Sequence, residues 1–438
     1  MTTKRLLFTV IFSLFSTIVF ADNYPYRSDY LFTTIPNHSN WLYQTGENAE
    51  IEVVFQHYGI CETLECEYSI ADDMMPHDNY KKITLKDGRG KIKMEGRKTS
   101  GFRDLEIKAK LKNGEIISHH IKLGFSVDKI TAWTKEPADF KAFWDNVLSE
   151  QSKLPLRYSK ELADEYCSDK FDCYLVKIPL LNKHAFYGYL FVPLSAKEGK
   201  KCPVVLCPPG AGIKTIKEPL KHRYYAENDM IRLEIDIHGL DPRLPEDKFK
   251  EISDAFNATN CGYLENGIEN PDRYYMRHIY AGLVRCIDLL VSLPEWDGKN
   301  VAVQGGSQGG ALSLICASLD SRVNLCVVNH PALSDMGAYS EKGLTGGYPH
   351  FNKSKVEFSK DNLRTMALYD VVNFSRYVKA KVFMTWGYND NVCPPTTSYA
   401  VWNTLTCEKE SFVTPINEHW TSDATEYGHM LWIKKNLK

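Results

Sequence analysis

A strand-like run, a glycine-flanked serine and a helix-like run follow one another directly in this chain. The apolar residues Val301–Val303 precede Gly305–Gly310, whose sequence is GGSQGG, and the apolar run Ala311–Ala317 follows. This order predicts that Ser307 lies on a sharp turn between a strand and a helix, where small neighbours permit close backbone packing and leave the hydroxyl exposed. The helix N-terminus also directs free N–H groups toward negative charge that forms nearby. The turn therefore predicts a nucleophilic serine, although a glycine-rich turn without chemistry has the same short pattern.

Strand-like and helix-like segments alternate from about residue 170 to the C-terminus. Five apolar segments are predicted strands: Pro203–Cys207, Met230–Ile237, Val301–Gln304, Val323–Val328 and Lys381–Trp386. Helical periodicity separates them, notably over Tyr275–Leu293 and Gln308–Leu319. This alternation predicts an α/β fold with a mostly parallel sheet and helices on both faces. Functional side chains in such folds gather beyond the carboxyl ends of the strands.

The segment from Asp22 to about Val127 has a different pattern. Ile51–Phe55, Lys91–Met94 and Asp104–Leu111 alternate apolar and polar residues with period two, which is typical of half-buried strands. Several short strands within about a hundred residues predict a small β-sandwich. We therefore expect an accessory β domain over residues 22–127 and the α/β domain over residues 128–438.

The first 21 residues have the composition of a secretory signal peptide. Lys4 and Arg5 precede the apolar run Leu6–Phe20, and Val19–Ala21 ends in a small-x-small cleavage pattern. The apolar run is shorter than the roughly 20 residues that a transmembrane helix needs, so no membrane anchor is expected. We expect a mature protein that begins near Asp22 and is exported to the periplasm or the extracellular medium.

Charge and cysteine content narrow the function classes. With 53 Lys and Arg against 55 Asp and Glu, the net charge is −2, so a nucleic-acid partner is not expected. Twelve cysteines in an exported chain suggest disulfides, and Cys61/Cys66 and Cys167/Cys173 are candidate local bridges. There is no C-x-x-C and no H-E-x-x-H spacing, so neither a metal nor another cofactor is expected.

A serine hydroxyl needs a base, and a histidine base needs a carboxylate that fixes its tautomer and orientation. In the α/β-hydrolase fold these residues come in the order serine, acid, histidine. Asp390 follows the predicted strand Lys381–Trp386 after a short turn, and His419 lies in a polar loop near the C-terminus. The sequence therefore predicts Ser307 as nucleophile, Asp390 as acid and His419 as base.

Four other residues compete for these roles. Asp335 and Asp370 are alternative acids, but neither stands directly after a strongly predicted late strand. His429 is an alternative base, but it falls in a helical pattern, where a histidine is more often structural. His330 follows a strand directly, but it precedes Asp390 in the chain, contrary to the expected order.

Two backbone N–H groups are expected to stabilise the oxyanion of the reaction. One belongs to Gln308, the residue after the nucleophile. The other is expected in the loop after the first buried parallel strand, Cys207–Gly212. Since the prolines of this loop have no N–H, we predict Ala211 as the second donor.

Residues 130–438 resemble the acetyl xylan esterase/cephalosporin-C deacetylase family of carbohydrate esterases. Several separated motifs carry the resemblance: Pro137–Phe140 with Phe143 and Trp144, Gly305–Gly310, Gly387 with Asp390–Pro395, and Glu418 with His419. The resemblance implies the same catalytic trio and favours the backbone amides of Ala211 and Gln308 for the oxyanion. Residues 22–125 lie outside the usual catalytic core and resemble the immunoglobulin-like domains that precede some exported bacterial esterases.

The chain departs from the family pattern at three places. Ala211 stands where the family usually has a tyrosine, Asp236–Leu240 replaces an arginine-glycine-glutamine loop, and Gly282 stands where an acid is often found. These changes leave the chemistry intact but leave the acyl or sugar preference open. Family members often form closed hexamers, so a homo-oligomer is one expected state, although the additional domain has the bulk to block that packing.

Together these features predict an exported serine esterase that removes acetyl groups from xylan-derived or related oligosaccharides. One alternative is an α/β-hydrolase for another ester or a peptide, because prolyl-oligopeptidase-like proteases share the Gly-x-Ser-x-Gly-Gly pattern. Those proteases usually carry a β-propeller, for which residues 22–125 are too few. A second alternative is an exported glycan-binding protein with an inactive hydrolase site, against which the intact trio argues.

Overall fold

The computed structural model describes residues 29–257 and 262–438. The predicted signal peptide, residues 1–21, lies outside these ranges. The described chain divides into two compact units. The first comprises the chain up to Ile70, His77–Gly96 and Leu105–Ile121; the second comprises Ala71–Pro76, Arg97–Asp104 and Lys122–Lys438.

The residues for which a small β-sandwich was expected form two sheets. Their strands are β1 (Tyr30–Pro36), β2 (Leu42–Tyr43), β3 (Ala49–His57), β4 (Ile60–Cys61), β5 (Leu64–Asp72), β6 (Lys81–Leu85), β7 (Arg89–Met94), β8 (Gly101–Lys110) and β9 (Ile116–Phe125). One sheet has the order β1-β3-β4 with β7 also paired to β3, and the other has the order β2-β9-β8-β5-β6. In β3, Ile51, Val53 and Phe55 are buried, as the period-two pattern predicts.

A nine-stranded sheet forms the centre of the second unit, in the order β10-β11-β12-β14-β13-β15-β16-β17-β18. Its strands are β10 (Ser159–Leu162), β11 (Phe171–Pro179), β12 (Ala185–Pro193), β13 (Cys202–Cys207), β14 (Ile231–Asp236), β15 (Trp296–Gly306), β16 (Leu325–Asn329), β17 (Lys381–Gly387) and β18 (Lys409–Thr414). The first four in this order pair antiparallel, and every later pair is parallel. The mostly parallel α/β sheet expected from the sequence is therefore confirmed.

Helices connect these strands. They are α1 (Phe140–Ser152), α2 (Leu194–Lys197), α3 (Glu246–Asn257), α4 (Met276–Ser292), α5 (Gln308–Leu319), α6 (Lys360–Tyr369), α7 (Val371–Ser375), α8 (Pro395–Thr404) and α9 (Asp423–Lys435). Every residue of β13 and of β16 is buried, which explains their uninterrupted apolar sequence. Met430 and Ile433 of α9 pack in one core cluster with Val205 of β13 and Val327 of β16.

The candidate disulfides are not formed in this structure. Cys61, Cys66, Cys167 and Cys173 are all free thiols. Cys61 lies in β4 and Cys66 in β5, so the two belong to different sheets. The Cys173 N–H donates to the sulfur of Cys167 at 3.3 Å, and burial raises the pKa of both Cys66 and Cys173. The disulfides predicted for these two pairs from their closeness in sequence are therefore wrong.

In the described ranges, no helix combines the length and the apolar character needed to cross a bilayer.

Candidate active site

Ser307 occupies a strained turn between β15 and α5. Its backbone angles are φ 58° and ψ −123°, a conformation that is rare for residues other than glycine. The glycines around it allow close packing: a Cβ on Gly305 would lie 2.4 Å from the carbonyl carbon of Gly309, and one on Gly310 would lie 2.8 Å from the Asn329 carbonyl oxygen. The Ser307 N–H donates to that same Asn329 carbonyl oxygen at 2.9 Å. The local sequence thus folds as the turn that the pattern predicts.

The structure brings Ser307, His419 and Asp390 together from three separate loops. His419 Nε2 lies 3.1 Å from Ser307 Oγ, and His419 Nδ1 lies 2.8 Å from Asp390 Oδ2. With Nδ1–H donating to the carboxylate, Nε2 is free to accept the serine proton. This arrangement has the geometry of a nucleophile, a base and an orienting acid.

The Asp390 carboxylate is fully buried and held by further hydrogen bonds. Its Oδ1 accepts the backbone N–H groups of Val392 at 2.7 Å and Cys393 at 2.8 Å. Burial acts to raise the pKa of Asp390, but the hydrogen bond from His419 and the Cys393 N–H outweigh it, so the pKa lies below its usual value. Asp390 is therefore ionised at neutral pH and can orient the imidazole of His419.

The loop predicted to supply an oxyanion donor packs against the start of α5. A Cβ on Gly309 would lie 2.4 Å from the Pro208 carbonyl oxygen, so the two segments are in close backbone contact. Gln308 is the first residue of α5, and the N–H groups of a first helical turn have no partner within the helix. The structure thus places Pro208 and Pro209 of this loop beside the first turn of α5.

The four residues that were alternatives for the base and the acid make other contacts. The ring of His330 lies 4.3 Å from that of His419, centre to centre, and burial together with His419 lowers the pKa of His330 to about 4. His429 lies on α9, with Nε2 3.2 Å from Thr385 Oγ1. Asp370 accepts the Asp335 N–H at 2.9 Å, and burial raises the pKa of both carboxyl groups. These carboxyl groups accept backbone N–H groups instead, those of Trp133 and Thr134 at Asp335 and those of Asp335 and Met336 at Asp370.

Two side chains that the sequence analysis did not identify are hydrogen-bonded to the segments that carry the candidate site residues. The Tyr263 hydroxyl accepts the Gly212 N–H at 3.0 Å and donates to Gln308 Oε1 at 2.6 Å. The Lys122 ammonium donates to the Asp390 carbonyl oxygen at 2.8 Å. No motif marks Tyr263, and a lysine such as Lys122 ordinarily indicates an exposed position. The contacts of these two residues could therefore not be predicted from the sequence.

One group of potential metal ligands overlaps this site. Among the described residues, His330, Asp390 and His419 each offer a ligand atom, and these atoms lie within 4.8 Å of one another. Asp390 and His419 are already hydrogen-bonded to each other. A metal bound here would have to replace that hydrogen bond.

The structure also explains two departures from the family pattern. A Cβ on Gly282 would lie 2.5 Å from the Phe186 ring, so this position has no room for an acidic side chain. His238, in the loop that follows β14, has Nδ1 3.0 Å from the Tyr275 hydroxyl and its ring 4.7 Å from that of Tyr263. Burial lowers the pKa of His238 to about 4, so the imidazole in this loop is neutral at neutral pH.

Comparison with known proteins gives consistent matches. Residues 125–435 match the family described as acetyl xylan esterase (AXE1). The acetyl esterase Axe7A of Xylanibacter ruminicola is 54% identical over 436 residues, covering 99% of this chain and 97% of that protein. The acetyl xylan esterase from Paenibacillus sp. R4 superposes with a TM-score of 0.62 at 25% identity, covering 71% of this chain and 98% of that one.

A second solved structure matches the same fold. Acetyl xylan esterase 1 from Thermoanaerobacterium sp. JW/SL YS485 has a TM-score of 0.58 at 22% identity, covering 70% of this chain and 97% of that one.

Proposed function

Because the chain belongs to the acetyl xylan esterase family and is a carboxylic ester hydrolase, we propose that it deacetylates xylan-derived oligosaccharides through an acyl-enzyme on Ser307. The observation that carries the mechanism is the pair of contacts at His419, 3.1 Å to Ser307 Oγ and 2.8 Å to Asp390 Oδ2. These two contacts connect the nucleophile to the base and the base to the ionised acid.

In the first half-reaction, Ser307 Oγ attacks the acetyl carbonyl carbon while His419 Nε2 takes the hydroxyl proton. The negative charge on the carbonyl oxygen is stabilised by the backbone N–H groups of Ala211 and Gln308. The bond from the carbonyl carbon to the sugar oxygen then breaks, and His419 returns its proton to that oxygen. The products are the deacetylated sugar and an acetyl ester on Ser307.

In the second half-reaction, His419 takes a proton from water, and the hydroxide attacks the acetyl-serine. The tetrahedral intermediate uses the same two N–H groups and releases acetate as Ser307 regains its proton. Asp390 stays ionised throughout and stabilises the imidazolium of His419.

The substrate class rests on the relatives. The matching family and two solved neighbours are described as acetyl xylan esterases, and the curated relative is described as an acetyl esterase. An acetylated xylo-oligosaccharide is therefore the proposed substrate. We also propose export after cleavage near Ala21, on the strength of the basic start and apolar run of residues 1–21.

The test is acetate release from acetylated xylo-oligosaccharides by the wild type and by Ser307→Ala. We expect the variant to lose at least about 10³-fold in kcat, since a triad without its nucleophile retains only residual catalysis. Ser313→Ala is the matched control, because this buried hydroxyl of α5 donates to the Gly309 carbonyl oxygen at 2.8 Å.

A Ser307→Ala enzyme with undiminished turnover would refute the mechanism. Faster cleavage of feruloyl esters or of dipeptide anilides than of acetyl esters would refute the substrate class.

A further inference from the structure

A fully buried lysine lies beside the proposed catalytic acid. The Lys122 side chain is 0% exposed, and its ammonium lies 2.8 Å from Asp73 Oδ1, in a side chain that is 2% exposed. The same ammonium donates to the Asp390 carbonyl oxygen at 2.8 Å. Lysine is almost never fully buried unless it is paired, so this position indicates a specific requirement for the cation.

Lys122 holds the acid loop, which we define as Gly387–Pro394, at two successive residues. The Lys122 side chain binds the Asp390 carbonyl oxygen, and the Lys122 N–H donates to Asn389 Oδ1 at 2.9 Å. Asn389 in turn donates its N–H to the Asn417 carbonyl oxygen at 3.1 Å, two residues before His419. Lys122 is thus hydrogen-bonded directly to the acid loop. Through Asn389 it is also connected to the loop that carries His419.

Asp73 binds the start of α8, directly after the acid loop. Its Oδ2 accepts the Thr396 hydroxyl at 2.6 Å, and Thr396 lies in the first turn of α8, directly after the loop. The Asp73 backbone is itself held, because its N–H donates to the Phe102 carbonyl oxygen at 3.0 Å and its carbonyl oxygen accepts the Thr345 hydroxyl at 2.6 Å. The ion pair therefore connects Asn389 and Asp390 of the acid loop to the start of α8.

Stability alone does not account for a buried ion pair here. Removing two charges from water costs several kcal/mol, and well-packed apolar residues of similar volume are often as stabilising. Apolar residues, however, provide no directed hydrogen bonds to the Asp390 carbonyl oxygen or the Thr396 hydroxyl. Both charged residues also precede residues 125–435, the segment that matches the esterase family.

We propose that Lys122 and Asp73 are positioning residues, whose buried ion pair sets the orientation of the Asp390 loop and through it the imidazole of His419. This proposal rests on the proposed function of the triad. It assigns part of the architecture of the active site to residues outside the catalytic segment shared with the family.

The test variant is Lys122→Met combined with Asp73→Asn in the full chain. Lys122→Met alone would leave a buried carboxylate without its counter-ion, which is strongly destabilising. The double variant removes both charges, retains the volume, and leaves an amide oxygen for Thr396. We expect kcat for acetyl-ester hydrolysis to fall about 10- to 100-fold with KM within about twofold, because small misplacements of catalytic groups act mainly on turnover.

A second readout separates positioning from simple loss of folded protein. The proton shared by His419 Nδ1 and Asp390 Oδ2 gives a far-downfield NMR resonance, which we expect to shift or broaden in the double variant. Arg285→Met is the matched control, since this buried cation also donates to backbone carbonyl oxygens, those of Gln151 at 2.8 Å and Leu154 at 2.5 Å. It should leave kcat and the resonance unchanged.

Wild-type kcat and an unmoved resonance in the folded double variant would overturn the proposal. If that variant does not fold, Thr396→Val removes only the 2.6 Å bond to Asp73, and unchanged turnover there would overturn it as well. Ser307→Ala in the same assay keeps the two proposals apart. Full activity of Ser307→Ala contradicts the proposed function, whereas an inactive Ser307→Ala beside a fully active double variant contradicts only the positioning role.

Discussion

At the scale of single residues, Tyr263 connects the two backbone segments that carry the proposed oxyanion donors. Its hydroxyl accepts the Gly212 N–H, next to Ala211, and donates to the side chain of Gln308. Burial raises the pKa of Tyr263, so the hydroxyl keeps its proton and remains a donor. One hydroxyl thus bridges the two segments, and the proposed mechanism requires both amides to lie near 3 Å from the developing oxyanion.

We expect Tyr263→Phe to lower kcat about 10-fold with little change in KM. The ring keeps its packing, but the oxyanion loop, Cys207–Gly212, and α5 lose the hydrogen bonds that the Tyr263 hydroxyl makes to Gly212 and Gln308. Losing one oxyanion donor outright costs about 10²–10³-fold in kcat. Steady-state kinetics on an acetyl ester measures the effect. Tyr280→Phe is the control, because this buried hydroxyl donates to the Tyr369 carbonyl oxygen at 3.0 Å. Equal kcat values for the two variants would contradict the role of Tyr263.

At the scale of elements, the proposed active site requires a close approach of α5 to the oxyanion loop. Gly309 makes that approach possible, since a Cβ there would lie 2.4 Å from the Pro208 carbonyl oxygen and 3.2 Å from that of Pro209. Both obstacles are backbone atoms, which cannot rotate away as a side chain can. The glycine is therefore required by packing, although alanine is otherwise favoured inside a helix.

Gly309→Ala should separate α5 from the oxyanion loop. We expect a loss of about 1–3 kcal/mol in the free energy of unfolding and a fall in kcat of about 100-fold, because a 1 Å displacement in an active site has that effect. Gly428→Ala in α9 is the comparison, since its added Cβ would meet no atom of the described residues within 4 Å other than its chain neighbours and its own helix backbone. That variant should gain up to about 1 kcal/mol from helix propensity. A Gly309→Ala enzyme with wild-type activity and melting temperature would disprove the packing argument.

The elements differ in how well the sequence predicts them. The strands β13 and β16 were predicted within two residues, because burial on both faces gives an uninterrupted apolar run. By contrast, β18 was not among the predicted strands, since half of its residues are exposed and its first three are Lys409, Glu410 and Ser411. An edge strand has little apolar signal for periodicity to detect.

The same distinction applies to the site. Ser307, Asp390 and His419 were proposed from residue type, chain order and position after strands, all of which are local properties of the sequence. The roles of Tyr263 and Lys122 arise only from their partners in space. Asp73 and Asp390 are separated by more than 300 positions in the chain, and no local pattern records that the Lys122 ammonium lies between them.

At the scale of the whole molecule, burial of carboxyl groups makes stability depend on pH. Burial raises the pKa of Asp335 and Asp370 and raises that of Asp236 to about 6. The fold therefore binds these protons more tightly than the unfolded chain does. Each such group contributes stability at pH values below its unfolded pKa, and that contribution is lost as the pH rises through the folded value.

Asp236 offers the cleanest measurement of this effect. Its folded pKa of about 6 lies above the unfolded value of roughly 4, so its contribution to stability should decline between pH 4 and pH 6 by up to roughly 3 kcal/mol. Asp236→Asn removes the titration while keeping the acceptor, since the N–H groups of His238 and Leu240 both donate to Oδ1, at 2.9 and 3.3 Å. Urea unfolding of both proteins at pH 4 and pH 7 measures the difference. We expect the variant to gain stability relative to the wild type on going to pH 7, and a difference that does not change with pH would show that Asp236 is not protonated in the fold at pH 4–6.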